Sequence, residues 1–452
     1  MKRLLLTFYG DDFTGSTDAM EALTSNGFRT VLFLKVPDQE LLAKRFPDLQ
    51  CVGVAGISRS LTPNQMEGEL YPILQQMRAL PSQIVHYKIC STFDSAPEIG
   101  NIGKVIDMAS EIFPSQLAIP VIVGVPALKR FTVFGNHFAE MNGVIYRLDR
   151  HPTMSRHPVT PMHEADLRLH LKQQTSRKIT LFNILDLQGD MLTVQNKYQN
   201  RINDDADVIL FDVLDDHHLE KAGHLIWNHA DHRELFVVGS SAVQYALAKY
   251  WKKCGIDNSY VPSGAGVAKQ LLVVSGSCSP VTQSQIETAF KHGFAGIKIP
   301  VKELIDPSRQ TEVRSRLFHE AITFLKEGKS VVIYSALGSD DPVIFETIHY
   351  LQSVGKSKHE MGKLLGEQLG RLTRELVAAM ALKRVVVVGG DTSGYVTKEL
   401  GIYGLEVVEP IAAGAPLCRC YSEEELFDGL ELALKGGQLG QQDYFVKVLH
   451  GK

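Results

Sequence analysis

With 452 residues, 44% hydrophobic and 22% charged, the chain has ordinary globular composition and is too long for one typical core, so two domains are expected. A formal net charge of −4 excludes the basic surplus of a general nucleic-acid binder, and no apolar run approaches the roughly 20 residues that cross a bilayer. The first residues lack the long apolar region and cleavage site of a signal peptide, and the six cysteines are scattered without a disulfide framework, so a cytoplasmic protein that engages neither membrane nor nucleic acid is expected.

Residues 4–9 are a short apolar run suited to a buried parallel strand. Gly10-Asp11-Asp12-Phe13-Thr14-Gly15 follows; from Ser16 onward Ala19, Ala22 and Leu23 recur at helical spacing, and Gly27 closes the helix. Residues 30–34 read as the next strand, and further strands are predicted over 51–57, 84–89, 121–125, 208–213 and 235–238. Helical patterns lie between most of them, which implies an α/β domain with a largely parallel sheet. Residues 254–268, rich in Gly, Pro, Ser and Asn, read as a linker. Gly264-Ala265-Gly266 precedes a strand instead of following one, against a dinucleotide fingerprint. A second α/β pattern then runs through strands at 271–274, 296–299, 330–334 and 384–388. Helices are predicted at 281–292 and 313–326, and a helical stripe at Leu365, Leu369, Leu372, Leu376 and Met380. The expected organisation is one domain over 1–253, a linker over 254–269 and a second domain over 270–452.

Ligands of open α/β sheets bind at the carboxyl ends of strands, so the loops there hold the candidate chemistry. The first carries Asp11 and Asp12. Adjacent carboxylates at a strand end call for a cation, a hydroxylated ligand or a cap; the alternative is one cap and one solvated side chain. The second holds Lys88, Ser91 and Thr92, then Asn101 in Gly100-Asn101-Ile102-Gly103, a helix entry that suits an anion or is simply a hydroxyl-rich turn. In a third, the Arg156 and His157 side chains can hold a carboxylate, though a surface loop fits equally. In the second half, Ser275-Gly276-Ser277-Cys278-Ser279 and Gly389-Gly390-Asp391-Thr392-Ser393 each join a strand to a helix, and Gly414-Ala415-Pro416 follows the next apolar run. Together they read as a phosphate cradle, the alternative being tight turns with ordinary caps, and Asp391 can orient Mg²⁺ through water or meet the reacting group. There is no P-loop, protein-kinase signature or nucleophile elbow. Cys418 with Cys420, and Asp215-Asp216-His217-His218, read as reduced thiols and a solvated helix start, not metal sites.

At these residues the sequence resembles the four-carbon acid sugar kinase family over almost its whole length. Asp11-Asp12-Phe13-Thr14-Gly15 matches the family's N-terminal motif. Lys88 with 90–95, Gly100 to Gly103, and His157-Pro158 with Pro161-Met162 resemble its 3-oxo-tetronate branch. The three glycine-rich loops of the second half resemble its ATP-binding motifs. The resemblance implies two α/β domains with largely parallel sheets and an active-site cleft between them: an acid-binding N-terminal domain and an ATP-binding C-terminal one, with closure over the substrates. It implies ATP with Mg²⁺, and a sugar acid of the 3-oxo-tetronate, threonate or erythronate type. Lys88, Ser91, Thr92, Asn101, Arg156 and His157 would hold the acid, and Asp12 or Asp11 would accept the hydroxyl proton. Ser275, Gly276, Ser277, Gly389, Gly390, Asp391, Thr392, Ser393 and Gly414 would hold ATP. Phe8-Tyr9-Gly10, Ser16-Thr17, Asp391 and Gly239-Ser240-Ser241-Ala242 depart from the usual residues, which leaves 3-oxo-isoapionate, a branched acid, as the alternative substrate. Outside the family the rivals are a nicotinamide-dependent dehydrogenase and a non-catalytic sugar-acid sensor. A homodimer is compatible with the sequence.

Overall fold

The computed structural model describes residues 3–230, 234–355 and 357–452. The chain forms two compact units, Met1–Val261 and Pro262–Lys452.

In the first unit the strands are β1 (Leu4–Gly10), β2 (Thr30–Phe33), β3 (Cys51–Ala55), β4 (Ser82–Lys88) and β5 (Ile119–Ile122). After them come β6 (Arg130–Val133), β7 (Asn136–Met141), β8 (Val144–Arg147), β9 (Ile179–Phe182), β10 (Val208–Phe211) and β11 (Leu235–Gly239). Among the described residues eight of these form one parallel sheet in the order β2-β3-β1-β4-β11-β5-β10-β9. Apolar, largely β-branched runs buried on both faces make such strands, as parallel sheets require. Strands β2 and β3 lie on one side of β1 and the later strands on the other. The carboxyl ends of β1 and β4 therefore flank the topological switch point, the usual ligand crevice of an open sheet. Strands β6, β7 and β8 form a separate antiparallel sheet that the strand-and-helix reading did not anticipate. Its second turn, Asn142-Gly143, has φ of 53° and 81°, the left-handed pair that a two-residue hairpin needs.

The second unit contains β12 (Leu272–Ser275), β13 (Ala295–Lys298), β14 (Val331–Tyr334), β15 (Arg384–Val388), β16 (Ile402–Glu409), β17 (Leu417–Ser422) and β18 (Glu431–Lys435). Within it the order is β13-β14-β12-β15-β18-β17-β16; the first five strands are mutually parallel, and β17 runs antiparallel to both neighbours. Because β17 reverses, the turn between β16 and β17, which carries Gly414, lies at the same sheet edge as the loops leaving β12 and β15. The predicted leucine stripe falls in the helix Lys358–Met380. The stretch between the units has neither helix nor strand: the Tyr260 N–H donates to the Gly27 carbonyl in the first unit, and that of Ala268 to Leu449 in the second.

Candidate active site

At the carboxyl end of β1, Asp12 is the N-cap of the helix Phe13–Ser25: its Oδ1 accepts the Gly15 N–H at 2.7 Å. Its other oxygen accepts from Arg59 Nη1 at 2.8 Å. The rest of the Arg59 fork closes on Asp11, Nη2 to Oδ1 at 2.7 Å and Nε to Oδ2 at 3.0 Å. The sequence expectation of a cation or a cap for these carboxylates is met by both at once, with Arg59, which it did not single out. The available signal was position, since Arg59 follows the end of β3. Backbone geometry fixes it: the Arg59 N–H donates to the Asp11 carbonyl at 3.0 Å, and Gly100, at φ +59°, lets the Arg59 carbonyl approach where a Cβ would stand 2.7 Å away. Beneath, the stacked rings of Tyr9 and Tyr87 support this turn, Tyr87 Oη lying 2.9 Å from Ser58 Oγ.

The two aspartates differ in exposure: the Asp11 side chain is 3% exposed and that of Asp12 29%. Burial pushes the Asp11 carboxyl above its ordinary range, with Arg59 pulling against it. Burial disfavours the Arg59 charge, but Asp11, helped by Asp12, outweighs it and holds the guanidinium charged. Lys88 ends β4 as a buried ammonium, Nζ 3.5 Å from Asp18 Oδ2. Gly15 lies at the centre of the group: a Cβ there would stand 2.4 Å from Asp12 Oδ1 and 2.8 Å from Lys88 Nζ.

The loop after β4 is held largely by its own groups. Thr92 Oγ1 donates to Asp94 Oδ1 at 2.6 Å and lies 2.9 Å from Cys90 Sγ. Phe93, buried, takes a left-handed φ of 58°, uncommon for a bulky residue. The Ser91 carbonyl accepts from His137 Nε2 at 2.8 Å, tying this loop to β7. Asn101 is a helix cap, its Oδ1 accepting the Lys104 N–H at 2.6 Å and its amide donating to the Pro97 carbonyl, so its side chain is committed to the fold. Arg130, also unanticipated, is half-buried at the start of β6 with no hydrogen-bond partner for its Nε. Burial lowers its pKa, against the pull of Cys90, Glu140 and Asp94. Arg156 is exposed. His157 accepts the Thr160 N–H at its Nδ1, 3.0 Å, which leaves the proton on Nε2. Among the described residues no hydrogen bond or ion pair joins either side chain to the Asp11–Arg59 group.

In the second unit Ser275, Val388 and Lys435 stand in one row at the ends of β12, β15 and β18. Gly276 abuts Thr392 so closely that a Cβ would lie 2.2 Å from its Oγ1, which locks the loops after β12 and β15 together. The two loops differ at their helices. Ser279 caps Pro280–Lys291, accepting the Thr282 N–H at 3.1 Å, and Ser277 Oγ lies 3.1 Å from Thr282 Oγ1. The helix Gly390–Glu399 has no side-chain cap: Gly389, at φ 117°, precedes it, and no atom lies within 4 Å of a Cβ built on Gly390. No side chain caps its first N–H groups and the space beside Gly390 is open, so a phosphate has room to approach this helix start. Ser393 Oγ donates to the Gly389 carbonyl at 2.8 Å and fixes the turn, and Asp391 is exposed in the first helical turn. Gly414, at φ 70°, shapes the turn before β17, where the Ala415 carbonyl accepts from Tyr444 Oη at 2.9 Å. Beside the β12 loop lies an apolar cavity of about 180 Å³, lined by Gly276, Cys278, Val301, Val343, Ile344 and Met361 among others.

Among the described residues no three His, Cys, Asp or Glu side chains converge as a metal site, and no helix is long and apolar enough to cross a membrane. Asp215 caps its helix start through the His217 and His218 N–H groups, and Cys418 and Cys420 are buried cysteines outside any disulfide.

Residues 6–247 match the family model of a sugar-binding N-terminal domain, and residues 272–445 that of a nucleotide-binding C-terminal domain. The chain is 45% identical to a 3-oxo-isoapionate kinase of Paraburkholderia graminis, over 99% of this chain and 95% of that one. It is 27% identical to a 3-oxo-tetronate kinase of Brucella melitensis, covering 97% and 93%. Crystal structures of a Salmonella typhimurium LT2 protein (TM-score 0.78, 24% identity, 99% and 98% covered) and of Haemophilus influenzae protein HI1011 (TM-score 0.74, 22% identity, 98% of each) share the fold.

Proposed function

The chain belongs to the four-carbon acid sugar kinase family, and from that premise we propose that it phosphorylates a hydroxyl of a branched 3-oxo sugar acid of the 3-oxo-isoapionate type. It is an ATP-dependent phosphotransferase acting on a sugar acid. The 45% identity to the isoapionate enzyme, against 27% to the tetronate one, supports the branched acid. In this reading residues 1–253 bind the acid and 270–452 bind ATP.

The observation that carries the division of labour is the contrast in charge between the two sets of loops. The first unit sets Arg59 and Lys88 around a carboxylate pair, a setting for an anionic hydroxy-acid. The second offers an uncapped helix start at Gly389-Gly390 beside an apolar slot, a setting for a triphosphate and a planar base. Lys88, Arg59 and Ser91 would hold the acid's carboxylate and hydroxyls. Asp12, the accessible one of the pair, takes the hydroxyl proton as the hydroxyl oxygen attacks the γ-phosphorus in line and the bond to ADP breaks. Asp11 is buried against Arg59 and holds that fork in place. Mg²⁺ binds chiefly through phosphate oxygens and water with one or two carboxylates, and the exposed Asp391 at the phosphate end of its helix fits that role. When bound, the ion would neutralise phosphate charge.

The test is a coupled ADP-release assay with Mg·ATP and 3-oxo-isoapionate, 3-oxo-tetronates, threonate and erythronate. Turnover highest by at least tenfold in kcat/KM on the branched acid is expected. A preference for a linear acid would return the assignment to the tetronate branch, and silence on all of them would remove the substrate class. Asp12→Ala should abolish turnover while ADP still binds.

A further inference from the structure

Lys435 is the last residue of β18 and is 2% exposed, yet its ammonium has no hydrogen-bond partner among the described residues. An unpaired buried charge opposes folding, so such a group calls for an explanation. Its neighbours supply one. In the parallel register Ser275, Val388 and Lys435 are paired across adjacent strands, so their side chains share one face of the sheet. The backbone of Lys435 is bonded to the loop after β15, its carbonyl accepting the Gly389 N–H at 2.9 Å. Two residues on, the Gly437 carbonyl accepts from Thr282 Oγ1 at 2.9 Å and from Ser279 Oγ, which ties the end of β18 to the loop after β12. The ammonium lies 5.8 Å from the centre of the Tyr444 ring, and Tyr444 holds the Ala415 carbonyl of the Gly414 turn. All three glycine-rich loops of this unit thus converge on the strand end that carries one unpaired cation.

We propose that Lys435 is a nucleotide-binding residue, its ammonium completing the polyphosphate site framed by the loops at Ser277, Gly389 and Gly414. The inference rests on reading the second unit as the ATP-binding domain. Burial alone pulls the lysine down to about 8, so in the unliganded protein its charge is poorly compensated. An arriving phosphate supplies the missing counter-charge. The chain has no P-loop lysine, and Lys435, coming from a strand end and not from the loop itself, would serve the same electrostatic purpose.

The experiment compares the wild type with Lys435→Met, an apolar side chain of similar reach. The variant should melt at or above the wild-type temperature, because it removes an uncompensated charge. Its ADP affinity by calorimetry and its kcat/KM for ATP should fall by about 100-fold, the scale of one lost charge-stabilising donor. The KM for the acid should stay within about twofold. A folded variant with ADP affinity and kcat/KM within about threefold of wild type would overturn the proposal. Should the variant not fold, the wild type is treated with an acyl-phosphate ester of ATP, whose carbonyl a phosphate-site lysine attacks, expelling ATP. Mass spectrometry should find Lys435 acylated and ADP should block it; ADP-blocked labelling elsewhere with Lys435 unmodified overturns the assignment. Wild-type protein that binds no ADP at all would instead overturn the nucleotide reading beneath it.

Discussion

Arg59 and Asp11 meet through two parallel hydrogen bonds, Nη2 to Oδ1 at 2.7 Å and Nε to Oδ2 at 3.0 Å, and the remaining guanidinium nitrogen reaches Asp12. This bidentate pairing depends on the planar fork, so a lysine cannot reproduce it. Arg59→Lys should lower kcat/KM for the acid by about 100-fold with ADP affinity unchanged. Arg59→Met should also lower stability by about 3 kcal/mol in urea unfolding, since Asp11 is left buried and unpaired. Adding Asp11→Asn should recover most of that stability and none of the activity. A fully active Arg59→Met enzyme would remove Arg59 from the site.

Gly15 is a second sensitive point. Ala is favoured over Gly inside a helix by about 1 kcal/mol, but Gly15 lies in the first turn against the cap, where a Cβ would stand 2.4 Å from Asp12 Oδ1 and 2.8 Å from Lys88 Nζ. Gly15→Ala should therefore cost at least tenfold in kcat with ADP binding intact. Steady-state kinetics beside an ADP titration would check this, and unchanged kcat would contradict the packed arrangement.

Gly276→Ala probes the other unit in the same way. The new Cβ would lie 2.2 Å from Thr392 Oγ1, so the loops after β12 and β15 must part. The expected result is a rise of at least tenfold in the KM for ATP, with the KM for the acid within about twofold. An effect confined to the acid would contradict the assignment of these loops.

Acid sensitivity follows from two buried histidines. His86 donates from Nε2 to the Gly239 carbonyl and accepts from Gln244 at Nδ1; His137 donates to the Ser91 carbonyl and lies 3.0 Å from Thr132 Oγ1. Burial pulls them from 6.5 to about 3 and about 4. The native state thus resists protons that the unfolded chain accepts, and the stabilisation present above pH 6.5 is lost as the pH falls toward these values. Asp212 opposes them. Burial lifts it from 3.8 to about 6, a contribution present below the lower value and lost as pH rises through the upper. Asp11, also raised by burial, acts with Asp212, but burial lowers His151, His170 and His224 as well, so the histidines prevail and stability should fall between pH 6 and pH 4.5. His137→Gln should flatten that fall by about 1.4 kcal/mol per pH unit in urea unfolding. An unaltered slope would show that His137 titrates normally.

The parallel sheets were legible because buried strands such as β1 and β15 are continuous apolar runs, and the loops that leave them carry the family's motifs. What local pattern could not convey was pairing between distant loops. Arg59 is 47 residues from Asp12 along the chain and Lys435 lies beyond the last motif, so only the register of the strands brings them to their sites. Asn101 shows the converse: a polar residue at a helix start serves equally as ligand or cap, and here it caps. The hairpin at Asn142-Gly143 carried its own signature, which a search for strand–helix alternation passes over.

The paired state of Arg59 also bears on which molecules the enzyme ignores. An incoming carboxylate that seeks this guanidinium finds each of its three nitrogens already bonded to one of the protein's own carboxylates, so it competes with them for the fork. A simple monoacid that displaces Asp12 makes one hydrogen bond and breaks one, for little net gain. A polyhydroxylated acid can recover the difference, because its hydroxyls can occupy the acceptor that Asp12 then presents. Discrimination against the cell's abundant small carboxylates is thus a competition in which the resting protein is itself the rival ligand.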